Sequence, residues 1–236
     1  MLVVVGLLSQ AVAAPMSAEE MHERYWTLTD VRDHVIRGEL DQAKTIASAL
    51  KELPSKRTPR RWRSYLTAVD NALEAVATSD DLDAAAMGVG KAASTCGSCH
   101  SATGGGPQLV GAANVPPPKW EPDQQMALHR WAMDWMWLGL LDQNGDAWRL
   151  GASELDRKPL VFRSTDDDSV FEGRTALEDR VHELAEYATT TDSDQRGDVF
   201  GILLATCSDC HAEMTAAKEA ASAESADSEP TVDGPG

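Results

Sequence analysis

Basic residues are scarce: 21 Lys and Arg stand against 38 Asp and Glu, a formal net charge of −17 over 236 residues. A nucleic-acid binder needs the opposite balance, because its affinity comes from cations that displace counterions from phosphate. Aromatics are also few, at 6% of residues, yet the 7 Trp outnumber the 3 Tyr and 3 Phe together. The 17 Gly and 11 Pro are too few for a collagen-like or wholly disordered chain. Beyond the N-terminus no apolar run is long enough to span a bilayer, so no integral membrane span is expected. No segment sustains a period-2 alternation, which argues against a sheet. Only 4 Cys are present. They leave two disulfides, a zinc site or haem attachment open.

Met1 to Ala14 is short and apolar and runs into Ala11-Val12-Ala13, a small-x-small cleavage pattern. It reads as a secretory signal peptide over 1–13, although no Lys or Arg precedes the apolar run. The alternative is a buried N-terminal element. The signal-peptide reading places the mature chain in the periplasm or otherwise outside the cytoplasm.

All four Cys fall in two copies of one motif: Cys96-Gly97-Ser98-Cys99-His100 and Cys207-Ser208-Asp209-Cys210-His211. C-x-x-C-H is the attachment signature of c-type haem. Two thiols about one helical turn apart reach the two vinyl groups of a porphyrin, and the adjacent His lies under the iron as proximal ligand. A four-Cys zinc site would have to join pairs 111 residues apart (207 − 96), far more than a zinc ribbon spans. A thioredoxin-like pair needs a βαβ setting that is absent here. A disulfide framework gives no reason for His after both pairs. Two covalent haem c groups are therefore expected. Cys96, Cys99, Cys207 and Cys210 are the anchors; His100 and His211 are the proximal ligands.

The motifs sit in duplicated surroundings. The offset of 111 also pairs Gly90 with Gly201, Leu66 with Leu177, Leu73 with Leu184, Ala77 with Ala188 and Asp81 with Asp192. Nearer the N-terminus an offset of 105 (126 − 21) pairs Met21 with Met126, Trp26 with Trp131, Asp41 with Asp146, Ala47 with Ala152 and Leu50 with Leu155. The difference implies an insertion within 157–172. Apolar residues at helical period predict four helices per unit: 18–37, 41–50, 61–78 and one entering Cys96 after an Asp80 or Asp81 cap, then 124–141, 146–155, 175–189 and 194–213. The expected fold is all-α, with haem units over 14–101 and 124–214. A Pro/Gly-rich linker over 102–123 joins them, and a disordered acidic tail follows over 215–236.

Four helices with C-x-x-C-H on the last resemble the class II cytochromes c, the cytochrome c′ and c556 type of four-helix bundle. That resemblance implies a haem packed among the helices of each unit. Gly106-Pro107-Gln108-Leu109-Val110-Gly111 resembles a stretch that follows the haem motif in class I cytochromes c. In that family, however, the motif opens the domain, and here little foldable chain follows His211. The class II resemblance implies a distal Met early in the first helix, where Met21 and Met126 are repeat equivalents. Such a thioether ligand raises the reduction potential. The alternatives are that both Met are core residues, that the neighbouring His22 and His129 bind instead, or that the iron is five-coordinate. His34 and His182 have no repeat partner and read as surface or partly buried side chains. Trp131, Trp135 and Leu138 share a face suited to core packing, whereas Trp137 falls off it and suggests an interface.

These features predict an exported dihaem electron carrier, not an enzyme, docking to redox-partner proteins, among them a membrane-bound respiratory complex. A gas-binding haem protein and a haem subunit of a larger complex are the alternatives. The charge is lopsided. Residues 1–104 hold 11 basic and 13 acidic side chains (net −2), and residues 105–236 hold 10 and 25 (net −15). Such a field acts mainly on association rate.

Overall fold

The computed structural model describes residues 17–51, 59–107, 109, 111, 114–115, 119, 125–157 and 169–227. The predicted signal peptide lies outside them, as do parts of the predicted linker and most of the predicted insertion. All regular structure among the described residues is helical. The elements are α1 (Ala18–Ile36), α2 (Leu40–Lys51), a 3-10 turn at Arg60–Trp62, α3 (Arg63–Ala77), α4 (Leu82–Thr103), α5 (Gln125–Leu141), α6 (Gly145–Leu155), α7 (Ser169–Thr190) and α8 (Arg196–Asp227). The expected all-α class is observed. No helix among these residues is long and apolar enough to cross a membrane.

Local chemistry sets the boundaries. Ser17 and Glu20 form a reciprocal capping box on α1. Asp81 caps α4 by accepting from the Ala84 N–H, and Gly104 ends it in the left-handed region. Asn144 caps α6. Two ends differ from expectation. α7 begins at Ser169, ahead of residue 175, and α8 continues to Asp227, well past Glu213. The predicted disordered tail is thus helical over much of its length. Its Ala, Lys and Glu are strong helix formers, and propensity favours continuing the helix.

Burial reports the internal repeat more sharply than residue identity. Leu28, Val31, Arg32 and Val35 of α1 match Met133, Met136, Trp137 and Leu140 of α5; Ala43, Ala47 and Leu50 of α2 match Trp148, Ala152 and Leu155 of α6. Both sets hold the predicted offset of 105 (133 − 28). Val89, Ala92 and Ala93 of α4 match Phe200, Leu203 and Leu204 of α8 at 111 (200 − 89). Between α3 and α7 the predicted register is one residue off. The buried faces pair Val69 with Val181, Ala72 with Leu184, Leu73 with Ala185 and Val76 with Ala188, an offset of 112 (181 − 69). One residue is missing between α7 and α8 relative to the first copy.

One contiguous core takes residues from all eight helices. Its centre is the contact of α4 with α8. A Cβ on Gly90 would collide with the carbonyl oxygen of Gly197 and stand 3.0 Å from the Gly201 nitrogen. One on Gly201 would stand 2.9 Å from the Cα of Met87 and 3.2 Å from the carbonyl oxygen of Ala86. Partner numbers fall along α8 as they rise along α4, so the two helices are antiparallel. α1 and α5 cross the same seam. Trp137 Nε1 donates to Thr29 Oγ1 at 3.2 Å, and the buried Arg32 pairs with Asp134 at 2.9 Å while its guanidinium lies 5.2 Å from the Trp137 ring centre. Trp137 and Trp148 are fully buried around Phe200. Trp131 and Trp135 are only half-buried. The face expected to be core is therefore the shallower one, and Trp137 is the core residue at a seam between the helix sets.

Candidate haem-binding sites

Both C-x-x-C-H motifs lie inside the helices whose glycines meet, Cys96–His100 on α4 and Cys207–His211 on α8. Because the pair is antiparallel and crosses near Gly90 and Gly201, the motifs sit at opposite ends, roughly 25 Å apart along the helices at ~1.5 Å per residue. No single zinc ion can take all four thiols. None of the four Cys is in a disulfide among the described residues. Burial and the neighbouring thiol push Cys96 and Cys207 up to about 12. A redox-active Cys pair needs the reverse, a depressed thiol pKa. In each motif the two Cys are three apart on one helix and share a face.

The two His differ in their surroundings. His100 Nδ1 lies 2.7 Å from the carbonyl oxygen of Leu141, at the end of α5. That oxygen can only accept, so Nδ1 carries the proton of this contact, which leaves Nε2 as the nitrogen that would face a metal. Metal-binding His are commonly held in this arrangement. The sequence allows it through Gly97, where a Cβ would collide with the Leu140 carbonyl. Gly106, at φ +92°, then lays its backbone against the imidazole, with its would-be Cβ 2.6 Å from Nδ1. The segment after α4 is anchored on the same turn. The Leu109 N–H donates to Asp142 Oδ2 and Asn144 Nδ2 donates to the Leu109 carbonyl, both at 2.8 Å. In the second motif Ser208 replaces Gly97. Its Oγ is buried without a hydrogen-bond partner among the described residues. Among the described residues no carbonyl is recorded on the His211 ring; burial and then Arg37 push its pKa down.

Of the four candidate distal ligands, Met21 is half-buried on the first turns of α1 and His22 is exposed. Met126 is 42% exposed at the start of α5, and His129, one turn on, is half-buried. The repeat register identifies what surrounds them. Arg24 of α1 bears electrostatically on Cys96 and on Asp70 of α3. Their equivalents, at 105 and 112, are His129 and His182 (24 + 105; 70 + 112). Those two rings face each other edge-on at 6.3 Å between centres. His182 is 2% exposed, and both of its ring nitrogens lack a hydrogen-bond partner among the described residues. Glu178 Oε1 lies 3.8 Å from its Nε2, beyond hydrogen-bond reach. Burial, then His182, push His129 down to about 4. Its imidazole is neutral at pH 7 and able to ligate.

The expectation that His182 is a surface or partly buried side chain is therefore wrong; one buried stripe of α7 includes it. His34 is as expected, half-buried and tied to Glu39 and Arg37. Sequence reasoning also missed the Leu141 carbonyl, which carries no side-chain signature, and Ser208, whose replacement of Gly97 is visible in the motif itself. A buried imidazole with two unpaired nitrogens and a buried unpaired hydroxyl each cost free energy unless something polar is nearby. Both lie in the half of the chain that contains Cys207 and His211. Compared with known proteins, the chain matches no protein-family model, no curated protein and no solved structure.

Proposed function

We propose that this chain is an exported dihaem c-type cytochrome, built as two four-helix haem units joined by the Pro/Gly-rich segment, that carries electrons between redox-partner proteins. The observation that carries the reading is the pairing of two intrahelical C-x-x-C-H motifs with an imidazole, His100, whose Nδ1 is already bound to a backbone carbonyl. Each Cys Sγ adds across one vinyl group: an S–H bond breaks, a C–S and a C–H bond form, and nothing leaves. When bound, haem supplies an iron that takes one electron from a reduced protein partner and gives it to an oxidised one. The chain's own contribution is to hold the anchors on a rigid helix pair, orient the proximal imidazoles and exclude water with the shared core. Partners of basic character, including a membrane-bound respiratory complex, suit the acidic second half, whose net charge of −15 (10 − 25) steers encounter.

The test is to count haem in the protein exported from a host with c-type maturation, by alkaline pyridine spectrum and intact mass. Two thioether-linked haems per chain are expected, falling to one in C96S/C99S and one in C207S/C210S. A chain exported without haem, or one that keeps both in either variant, would refute the reading.

A further inference from the structure

We infer that His129, oriented by His182, is the distal ligand of the second haem iron, so that the two haems carry different axial ligands. The inference rests on the dihaem reading above. Its ground is an asymmetry between repeat-equivalent positions. In the first half Arg24 bears electrostatically on Cys96 and on Asp70, a cation and an anion that offer iron no neutral nitrogen. In the second half both positions are His, on α5 and α7, with rings 6.3 Å apart. His182 is nine-tenths buried and more, with neither nitrogen paired among the described residues. Where the first half has an Arg and an Asp, both half-buried, the second has two imidazoles, of which His182 is fully buried and gains no hydrogen-bond partner among the described residues. A metal restores what is lost. Iron takes one nitrogen of His129, and the other ring N–H of a ligating His needs an acceptor, which His182 provides after a side-chain rotation.

Met126 fits the role less well. It is 42% exposed on the outermost turn of α5, whereas His129 is one turn deeper, at the position equivalent to Arg24, which acts electrostatically on Cys96. Met21 keeps its place in the first half, where its deeper neighbour is Arg24. The first haem is then Met/His-ligated and the second His/His-ligated. Because Met/His ligation raises the potential, the distal ligands favour transfer from the second haem to the first.

The experiment is near-infrared magnetic circular dichroism and low-temperature EPR on the ferric holoprotein with two haems. The expected wild-type spectrum has one Met–iron charge-transfer band, of one-haem intensity, and one bis-imidazole low-spin signal. H129L should convert the bis-imidazole signal to high spin. M126L should leave both species unchanged, and M21L should remove only the charge-transfer band. H182F should keep the second haem low-spin but raise its potential, while H182Q, which retains an acceptor, should restore it. Two Met-ligated haems in the wild type would overturn the inference, as would an unchanged spectrum in H129L; neither needs the other variants to fold. Fewer than two haems per chain would instead overturn the dihaem reading itself.

Discussion

Adding one methyl group at Gly90 is the sharpest probe of how the two motif-bearing helices meet. In an isolated helix Gly→Ala is favourable by about 1 kcal/mol, because alanine loses less backbone entropy. Here the new Cβ meets backbone on the opposite helix, the Gly197 carbonyl and the Gly201 nitrogen at 3.0 Å, and neither can rotate away. Ordinary carbon contacts need about 3.5 Å, so α4 and α8 must separate by on the order of 1 Å. Overpacking of this kind costs roughly 1–3 kcal/mol, and rigid backbone on both sides puts it at the upper end. Set against the helix gain, G90A should be destabilised by about 1–2 kcal/mol, a fall in Tm of roughly 3–6 °C at this chain length. Urea unfolding of the holoprotein should show a lower midpoint with an unchanged slope. Lys91 is exposed on the adjacent position, and K91A should shift stability by no more than about 0.5 kcal/mol. A G90A protein more stable than wild type would mean that only helix propensity is felt, and that the helices do not touch there.

Three further outcomes follow from the same packing. R32A removes a buried guanidinium that pairs with Asp33 and Asp134 and covers Trp137; a loss of about 2 kcal/mol is expected by urea unfolding, and no loss would show that the seam between α1 and α5 is not formed. Burial raises the Asp70 pKa against the opposing pull of Arg24 and Lys51. A carboxyl with a raised folded pKa disfavours the folded state once it ionises, so D70N should be more stable than wild type at pH 7, the advantage fading as pH falls through the carboxylate range; equal stability at all pH values would contradict it. Electron-transfer rates with a basic partner should fall as salt is added, because the −15 of the second half is screened; flat rates would exclude electrostatic steering.

Much of the helix pattern was legible because apolar period and caps agree: Asp81 and Gly38 lie where the sequence marks a start and a stop. The α3–α7 register was not. Leu73 and Leu184 share a residue type, but helices bury faces, and the face of Leu73 corresponds to Ala185. The same slip hid His182, whose equivalence to Asp70 appears only at the corrected offset. Trp137 was legible as an exception to its neighbours' face, though which face is inner depends on a second helix set that one helix's periodicity cannot report. The anchors themselves are covalent chemistry written in order along the chain. The Leu141 carbonyl is invisible in any sequence, because every residue has one.

The α4–α8 contact is isologous within a single polypeptide. Gly90 meets Gly197 as their equivalents, Gly201 and Ala86, meet each other. In a homodimer such a two-fold interface constrains both sides at once, since every substitution occurs twice and the pairing depends on protein concentration. Covalent linkage lifts both conditions. The association becomes intramolecular and immune to dilution, and either flank of the axis can vary without the other. That freedom is what permits Arg24 and Asp70 on one side of the axis and His129 and His182 at the equivalent positions on the other.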